Sequence, residues 1–241
     1  MHVRSLKVLE LAIPRCTRCP ELRAYCAEVA TTRRRAFADW TYWGQPVPGF
    51  GDRRAKIMIV GLAPAAHGGN RTGRVFTGDR SGDFLYAALD RAGLANQPTS
   101  VSRDDGLHLR GVYITAALRC APPGNKPMPR QLDNCRPYLI EELQKLQPRV
   151  IIGLGSIAWN ATLLAMAACG FALSRPRPKF SHGTEVVVGN TTLLGCYHVS
   201  QQNTFTGRLT PTMLDEVLGR AQAIASERPP RPAPAPRKRG G

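Results

Sequence analysis

The stretch Gly61–Asp79, GLAPAAHGGNRTGRVFTGD, decides how the rest of this chain reads. It follows an apolar run, Lys56–Val60 (KIMIV), and precedes an amphipathic one, Ser81–Leu94 (SGDFLYAALDRAGL). That order reads as a buried strand, a glycine-rich loop and a helix. In an open α/β sheet such a loop leaves the carboxyl end of its strand, where these folds bind ligands. Five glycines, two arginines, one Asn, one His and one aromatic residue give it more chemistry than a connector needs. Gly68, Gly73 and Arg74 approach the phosphate-binding GxxxxGK[ST], but Arg74 replaces the Lys and Val75 the Ser/Thr. Without the ammonium and the magnesium-binding hydroxyl, a nucleotide triphosphatase is set aside. A glycine-rich loop with a purely structural role stays open at this point.

Outward from this loop, strands and helices alternate. Residues 5–13 and Glu21–Asp39 have helical patterns, and Asp39–Phe50 (DWTYWGQPVPGF) reads as an ordered aromatic loop near the central site. Gly111–Arg119 and Arg149–Leu154 read as buried strands, and Arg130–Gln147 and Ser156–Ala168 as helices. Residues 174–183 form a Pro-rich basic loop. Val186–Val188 and Thr192–Tyr197 resemble a hairpin ending in His198, and Thr210 caps a last helix, Pro211–Ser226. The alternation implies a parallel sheet with helices on both faces. Residues 1–226 are expected to form the folded unit, and 227–241 (ERPPRPAPAPRKRGG) a disordered Arg/Pro-rich tail.

Among the 241 residues, 33 Lys+Arg stand against 17 Asp+Glu, a net charge of +16. The excess points to a polyanionic partner, most simply nucleic acid, and most of the cations lie upstream of the tail. No apolar stretch approaches the ~18 residues of a membrane span, and MHVRSLKVLE lacks the apolar core of a secretory signal. A cytoplasmic, reducing location is expected, so the seven cysteines are not read as a disulfide framework. Cys16 and Cys19 form a C-x2-C hook, and Cys120 and Cys135 are separated by fourteen residues. Four thiolates suit zinc or a [4Fe–4S] cluster; the wide second spacing favours the cluster. Cys26, Cys169 and Cys196 fall in apolar runs and read as core cysteines, with Cys26 a substitute ligand.

His198 opens HVSQQNTFTGRLT at a strand end, where a donor can meet developing negative charge. Convergence of Asn70, Phe76 and His198 would make a pocket for a planar base within a basic surface. That combination proposes an enzyme that flips a nucleotide out of DNA. Two other readings compete. A non-catalytic basic DNA-binding protein with a structural metal accounts for charge and cysteines only. A Rossmann-type oxidoreductase rests on Gly153-Leu-Gly155-Ser-Ile-Ala158, but no acid follows about 20 residues on for the ribose.

At 61–82 (GLAPAAHGGNRTGRVFTGDRSG), at 113–127 (YITAALRCAPPGNKP), from His198 through NTFTGRLT, and in the four cysteines, the chain resembles the iron–sulfur uracil-DNA glycosylases of family 5. The resemblance spans about residues 5–226. It implies a three-layer α/β/α sandwich around a four-stranded parallel sheet, and a [4Fe–4S] cluster on Cys16, Cys19, Cys120 and Cys135. It also implies excision of deaminated bases from DNA, double-stranded with single strands also open, by a monomer associated with the nucleoid. Phe76 resembles the ring that stacks on the extruded base, and His198 the histidine that stabilises base O2 as the bond breaks. Ser200 and the loop to Leu209 resemble the segment that meets phosphate and plugs the duplex, with Phe205 or Leu209 as wedge and Arg71, Asn203 and Arg208 on DNA. Gly61, Leu62, Ala63 and Ala116 line the base site. Two departures matter: Leu62 and Ala63 stand where many relatives activate water with an acidic residue or Asn, and Ala116 where relatives read uracil with Asn. The first shifts water placement toward Asn70, with Asp79 and main-chain groups also open; the second implies a range that includes hypoxanthine, xanthine or etheno-cytosine.

Overall fold

A computed structural model describes residues 5–227. Residues 228–241, nearly all of the expected tail, lie outside the described residues. Six strands form one sheet: β1 (Phe50–Gly51), β2 (Ile57–Gly61), β3 (Val112–Ala116), β4 (Val150–Leu154), β5 (Glu185–Val188) and β6 (Thr191–Cys196), in the order β1-β3-β2-β4-β6-β5. The inner four, β3, β2, β4 and β6, are parallel, as expected. The sheet extends further than expected at one edge, where β1 adds an antiparallel strand pairing Phe50 with Ile114. Two residues are too few to show a period. At the other edge β5 and β6 make the expected antiparallel hairpin.

Helices α1 (Leu6–Ala12), α2 (Pro20–Thr32), α3 (Gly69–Thr72), α4 (Arg80–Arg91), α5 (Pro129–Leu146), α6 (Ser156–Ala168), α7 (Gln201–Phe205) and α8 (Pro211–Ser226) complete the described fold. Each inner strand is buried on both faces, so its residues alternate between two cores. Ile57, Ile59 and Ile152 meet Leu85, Leu89 and Leu218 of α4 and α8. Met58, Val60 and Ile151 meet Leu143, Trp159 and Leu163 of α5 and α6. Each such fully buried side chain contributes roughly 1.5–3 kcal/mol. α2 stops at Thr32 rather than reaching Asp39, because Arg33 turns left-handed at φ 52°. α7 carries no buried residue, so its sequence has no apolar period to read.

The chain runs from β2 to β3 on one side and returns to β4 on the other. That reversal makes the carboxyl end of β2 a topological switch point, where ligands bind in such sheets. Beneath it lies a fully buried ion pair. Glu142 of α5 accepts from Arg119 Nη2 at 2.6 Å and from the Thr115 hydroxyl at 2.8 Å, and Arg119 Nη1 also bonds the Thr115 hydroxyl. Both charged side chains are at most 1% exposed. The network ties the end of β3 to α5. Glu142→Gln is expected to destabilise the fold by about 3–5 kcal/mol, because it leaves the Arg119 charge buried and uncompensated. Arg119→Met with Glu142→Leu is expected to recover most of that loss. Denaturant unfolding measures both; a loss in the single variant below about 1 kcal/mol, the worth of an exposed pair, would contradict this account.

Candidate functional site

Gly61 and Ala116, the last residues of β2 and β3, pair in register and lie side by side at the switch point. The Phe76 ring lies directly on Gly61: a Cβ there would stand 2.5 Å from the ring. To reach that place Phe76 adopts φ 49°, a left-handed conformation that costs a non-glycine residue about 1–3 kcal/mol. Its neighbours hold it there, with the Tyr86 hydroxyl donating to the Val75 carbonyl at 3.0 Å. From the other side His198, just past β6, brings its ring centroid to 6.3 Å from that of Phe76, tilted by 40°. Gly155, at φ 87°, lets the β4–α6 turn approach the His198 Cβ closely. Asn203 Nδ2 donates to the His198 carbonyl at 2.8 Å and fixes the loop behind it. Burial lowers the His198 pKa, so the imidazole is neutral at pH 7, with one N–H donor. Leu62 and Ala63 continue from Gly61, the Leu62 carbonyl accepting from Leu118 N at 2.9 Å. This strand-end cluster thus gathers apolar and small residues, one ring and one neutral donor.

Beside it runs a groove of about 990 Å³, lined by the central loop, Phe37 and Trp40, the turn at Pro122–Asn125 and residues Ser200 to Gln202. Asp79 borders the groove at the N-cap of α4, its Oδ1 accepting from Gly82 N at 3.0 Å. Gly68 packs against the other carboxylate oxygen so closely that a side chain would not fit. Burial raises the Asp79 pKa, the Gly82 and Ser81 amides lower it, Asp83 raises it and Arg71 lowers it. From sequence, Asp79 stood only as one of several groups open for placing the water, behind Asn70. An acid at an N-cap closing a site loop is the signal that could have found it.

Several expected site residues stand elsewhere. Asn70 is 1% exposed and its amide donates to the carbonyls of Cys26 and Ala66, at 3.3 and 3.4 Å. It therefore faces α2 rather than joining Phe76 and His198, and water placement at the pocket has no support from it. Arg71 is 3% exposed and stacked between Phe37 and Trp40, 3.9 and 4.1 Å from their ring centres. A guanidinium so enclosed is no surface phosphate contact. Leu209 is fully buried, which does not fit a wedge, whereas Phe205 is 73% exposed. Arg208 is exposed, with its guanidinium over Tyr197 at 4.8 Å, and Ser200 borders the groove. Gly153 and Gly155 have structural partners in Trp159 and His198, which accounts for the GxGxxA pattern.

Cys19, Cys120 and Cys135 are buried in one apolar cluster with Leu22, Leu118 and Cys26. Cys16 packs nearby against Leu9, Ile13 and Tyr138, close enough for Cys16 and Cys19 both to raise the Cys135 pKa. Asn134 Nδ2 donates to Cys19 Sγ at 3.3 Å. The Cys26 thiol donates to the Ala121 carbonyl at 3.6 Å. Among the described residues, no three His, Cys, Asp or Glu side chains are placed to hold a single metal ion. Ala63 and Ala66 of the central loop pack on this cysteine cluster. No helix among the described residues is long and apolar enough to cross a membrane.

The Uracil DNA glycosylase superfamily matches residues 48–222 of this chain. The type-5 uracil-DNA glycosylase of Mycobacterium tuberculosis is 52% identical over 224 residues, covering 92% of this chain and 82% of that protein. The type-5 uracil-DNA glycosylase of Thermus thermophilus is 50% identical over 212 residues, covering 87% and 94%. That of Pyrobaculum aerophilum is 49% identical over 210 residues, covering 87% and 89%. Similarity at this level over nearly the whole length, together with a ring and a neutral histidine facing each other at the switch point, decides between the readings: the chain belongs to the uracil DNA glycosylase superfamily, among its type-5 uracil-DNA glycosylases.

Proposed function

We propose that this protein hydrolyses the N-glycosidic bond of uracil in DNA, leaving an abasic site for base-excision repair. The observation that carries the reading is the facing pair Phe76 and His198 at the carboxyl end of β2, with a groove bordered by Ser200 and Asp79 close by in the chain. The target base leaves the stack and enters the pocket. Phe76 stacks on its face. As the bond to the sugar breaks, negative charge develops on the base, and the neutral His198 donates its N–H to the base carbonyl, O2 in uracil. One such donor is worth on the order of 10²–10³ in rate. The sugar acquires positive charge, which the Asp79 carboxylate opposes while it accepts a proton from the attacking water. Water placement thus moves from Asn70 to Asp79.

Ala116 offers no amide to read uracil, so the proposed range extends to hypoxanthine, with xanthine and etheno-cytosine as further candidates. Ser200, Phe205 and Arg208 meet the duplex beside the pocket, Phe205 entering the gap left by the base. The fold unit spans 1–226 and acts on DNA as a monomer, double-stranded in the first instance. His198→Ala and Asp79→Asn are each expected to lose 10²-fold or more in single-turnover excision while keeping duplex affinity. A gel assay on duplexes carrying one uracil or one hypoxanthine, with alkali to cut abasic sites, measures both activity and range. Native rates in the variants would contradict the assigned roles; intact hypoxanthine at enzyme excess would contradict the broad range.

Cys16, Cys19, Cys120 and Cys135 would hold a [4Fe–4S] cluster. Their all-sulfur donor set, three thiols buried and Cys16 partly buried among apolar side chains, fits that group. When bound it supplies a covalent cross-link between the N-terminal segment and the loop after β3, on which Ala63 and Ala66 rest. Cys120→Ser is expected to lose iron, sulfide and the visible chromophore, and Cys26→Ser to retain them. Zinc in place of iron, or an unchanged chromophore in Cys120→Ser, would contradict the assignment.

A further inference from the structure

Arg71 is the most enclosed cation bordering the groove, and its place is fixed from several directions at once. Nε donates to the His67 carbonyl at 2.8 Å and Nη2 to the Gly78 carbonyl at 2.6 Å. The plane of its guanidinium meets Phe37 at 3.9 Å and Trp40 at 4.1 Å. Its own backbone carbonyl accepts from Trp43 N at 2.9 Å, so the aromatic segment is tied to the loop twice. Gly78, at φ 77°, packs so closely on Nη2 that any side chain there would displace it. Nη1 is buried and has no hydrogen-bond partner among the described residues.

These contacts join the start of the loop, at His67, to its end, at Gly78, one residue before Asp79. A buried cation with an unmatched donor is costly and has no packing advantage over an apolar residue. Its hydrogen bond to the carbonyl of Gly78, the residue before Asp79, supplies a reason. The charged groups that face Asp79 are Arg71 and Asp83, of opposite sign, and the two remaining stabilising groups are the Gly82 and Ser81 amides. We propose that Arg71 is a positioning residue for the glycosylase reaction, clamping the loop between His67 and Gly78 and facing Asp79 with a fixed positive charge. The inference rests on Asp79 as the group that acts on water. Burial alone would favour the neutral carboxylic acid, which cannot accept the proton. Arg71 opposes that effect without touching substrate.

The sign of the pH effect follows. Excision needs the carboxylate and falls as pH drops through the Asp79 pKa. Removing the cation raises that pKa, so the acid limb of the rate profile moves to higher pH. Arg71→Gln, Arg71→Lys and Asp79→Asn are compared with the native full chain by single-turnover uracil excision from acid to alkaline pH. Affinity for a duplex containing a tetrahydrofuran abasic analogue is measured alongside. Arg71→Gln is expected to lose about 10²-fold in rate, from a misplaced Asp79, with the acid limb shifted upward and duplex affinity unchanged. Arg71→Lys keeps the charge but not the planar fork, so its rate falls while its acid limb stays near the native position.

A native rate and acid limb in Arg71→Gln would overturn the proposal, as would lost duplex affinity at native rate, which marks a phosphate contact. If Arg71→Gln does not fold, Arg71→Lys decides: a reduced rate at native affinity supports the clamp, and a native rate overturns it. An active Asp79→Asn removes the reading of Asp79 and the inference with it. An inactive Asp79→Asn beside an Arg71→Gln that titrates as native removes the inference alone.

Discussion

Burying a loop obliges it to satisfy its own polar groups, because water is no longer there to do so. The stretch between β2 and α4 is buried along most of its length, Arg71, Thr72, Arg74 and Thr77 included. Its composition follows from that obligation. Arg74 reaches Thr77, Ser100 and Asp105, at 2.9, 2.8 and 2.7 Å, and holds the Asp105 carboxyl near pKa 2 against the upward push of burial. Thr72 bonds the carbonyls of Gly68, Arg74 and Thr77. Arg71 closes the loop from His67 to Gly78. The two arginines that look like phosphate ligands in the sequence are internal struts.

Rigidity bought in this way is what the chemistry requires. Phe76 stays in a strained conformation because the loop around it over-determines its position. His198 arrives from a different strand, braced by Gly155 and Asn203, so ring and donor are set by the sheet rather than by each other. Asp79 is held by the first turn of α4. The cysteine cluster lies under Ala63 and Ala66 and adds support from the N-terminal side. The central loop carries Phe76 and Asp79 while the segment after β6 carries His198, and two separately braced elements favour a preorganised site over one assembled by substrate.

The parallel core was legible because four strands, buried on both faces, write continuous apolar runs, and Pro211–Ser226 carries a helical period with Thr210 as its cap. β1 and α7 were not, being too short or too polar to show a period. At the site, Phe76 and His198 were readable from motif and position. Asn70 and Arg71 were misplaced because residue type does not tell which way a side chain points on a one-turn helix; α3 is four residues long and turns both inward. Asp79 stood in the sequence as one open candidate for placing water, and its N-cap position beside the groove is what singles it out. The same limit applied to Leu209, whose apolar character suits a wedge and a core equally.

The central claim is that an extruded base stacks on Phe76, with its carbonyl toward His198, above the end of β2. Gly61→Ala tests it most directly, by adding one methyl where a Cβ would stand 2.5 Å from the Phe76 ring and leaving every polar group unchanged. The account expects a folded protein with native affinity for an abasic duplex and uracil excision reduced on the order of 10²-fold, since a shift of about 1 Å in a positioning group has that effect. Native excision by Gly61→Ala would contradict it and place the base elsewhere in the groove.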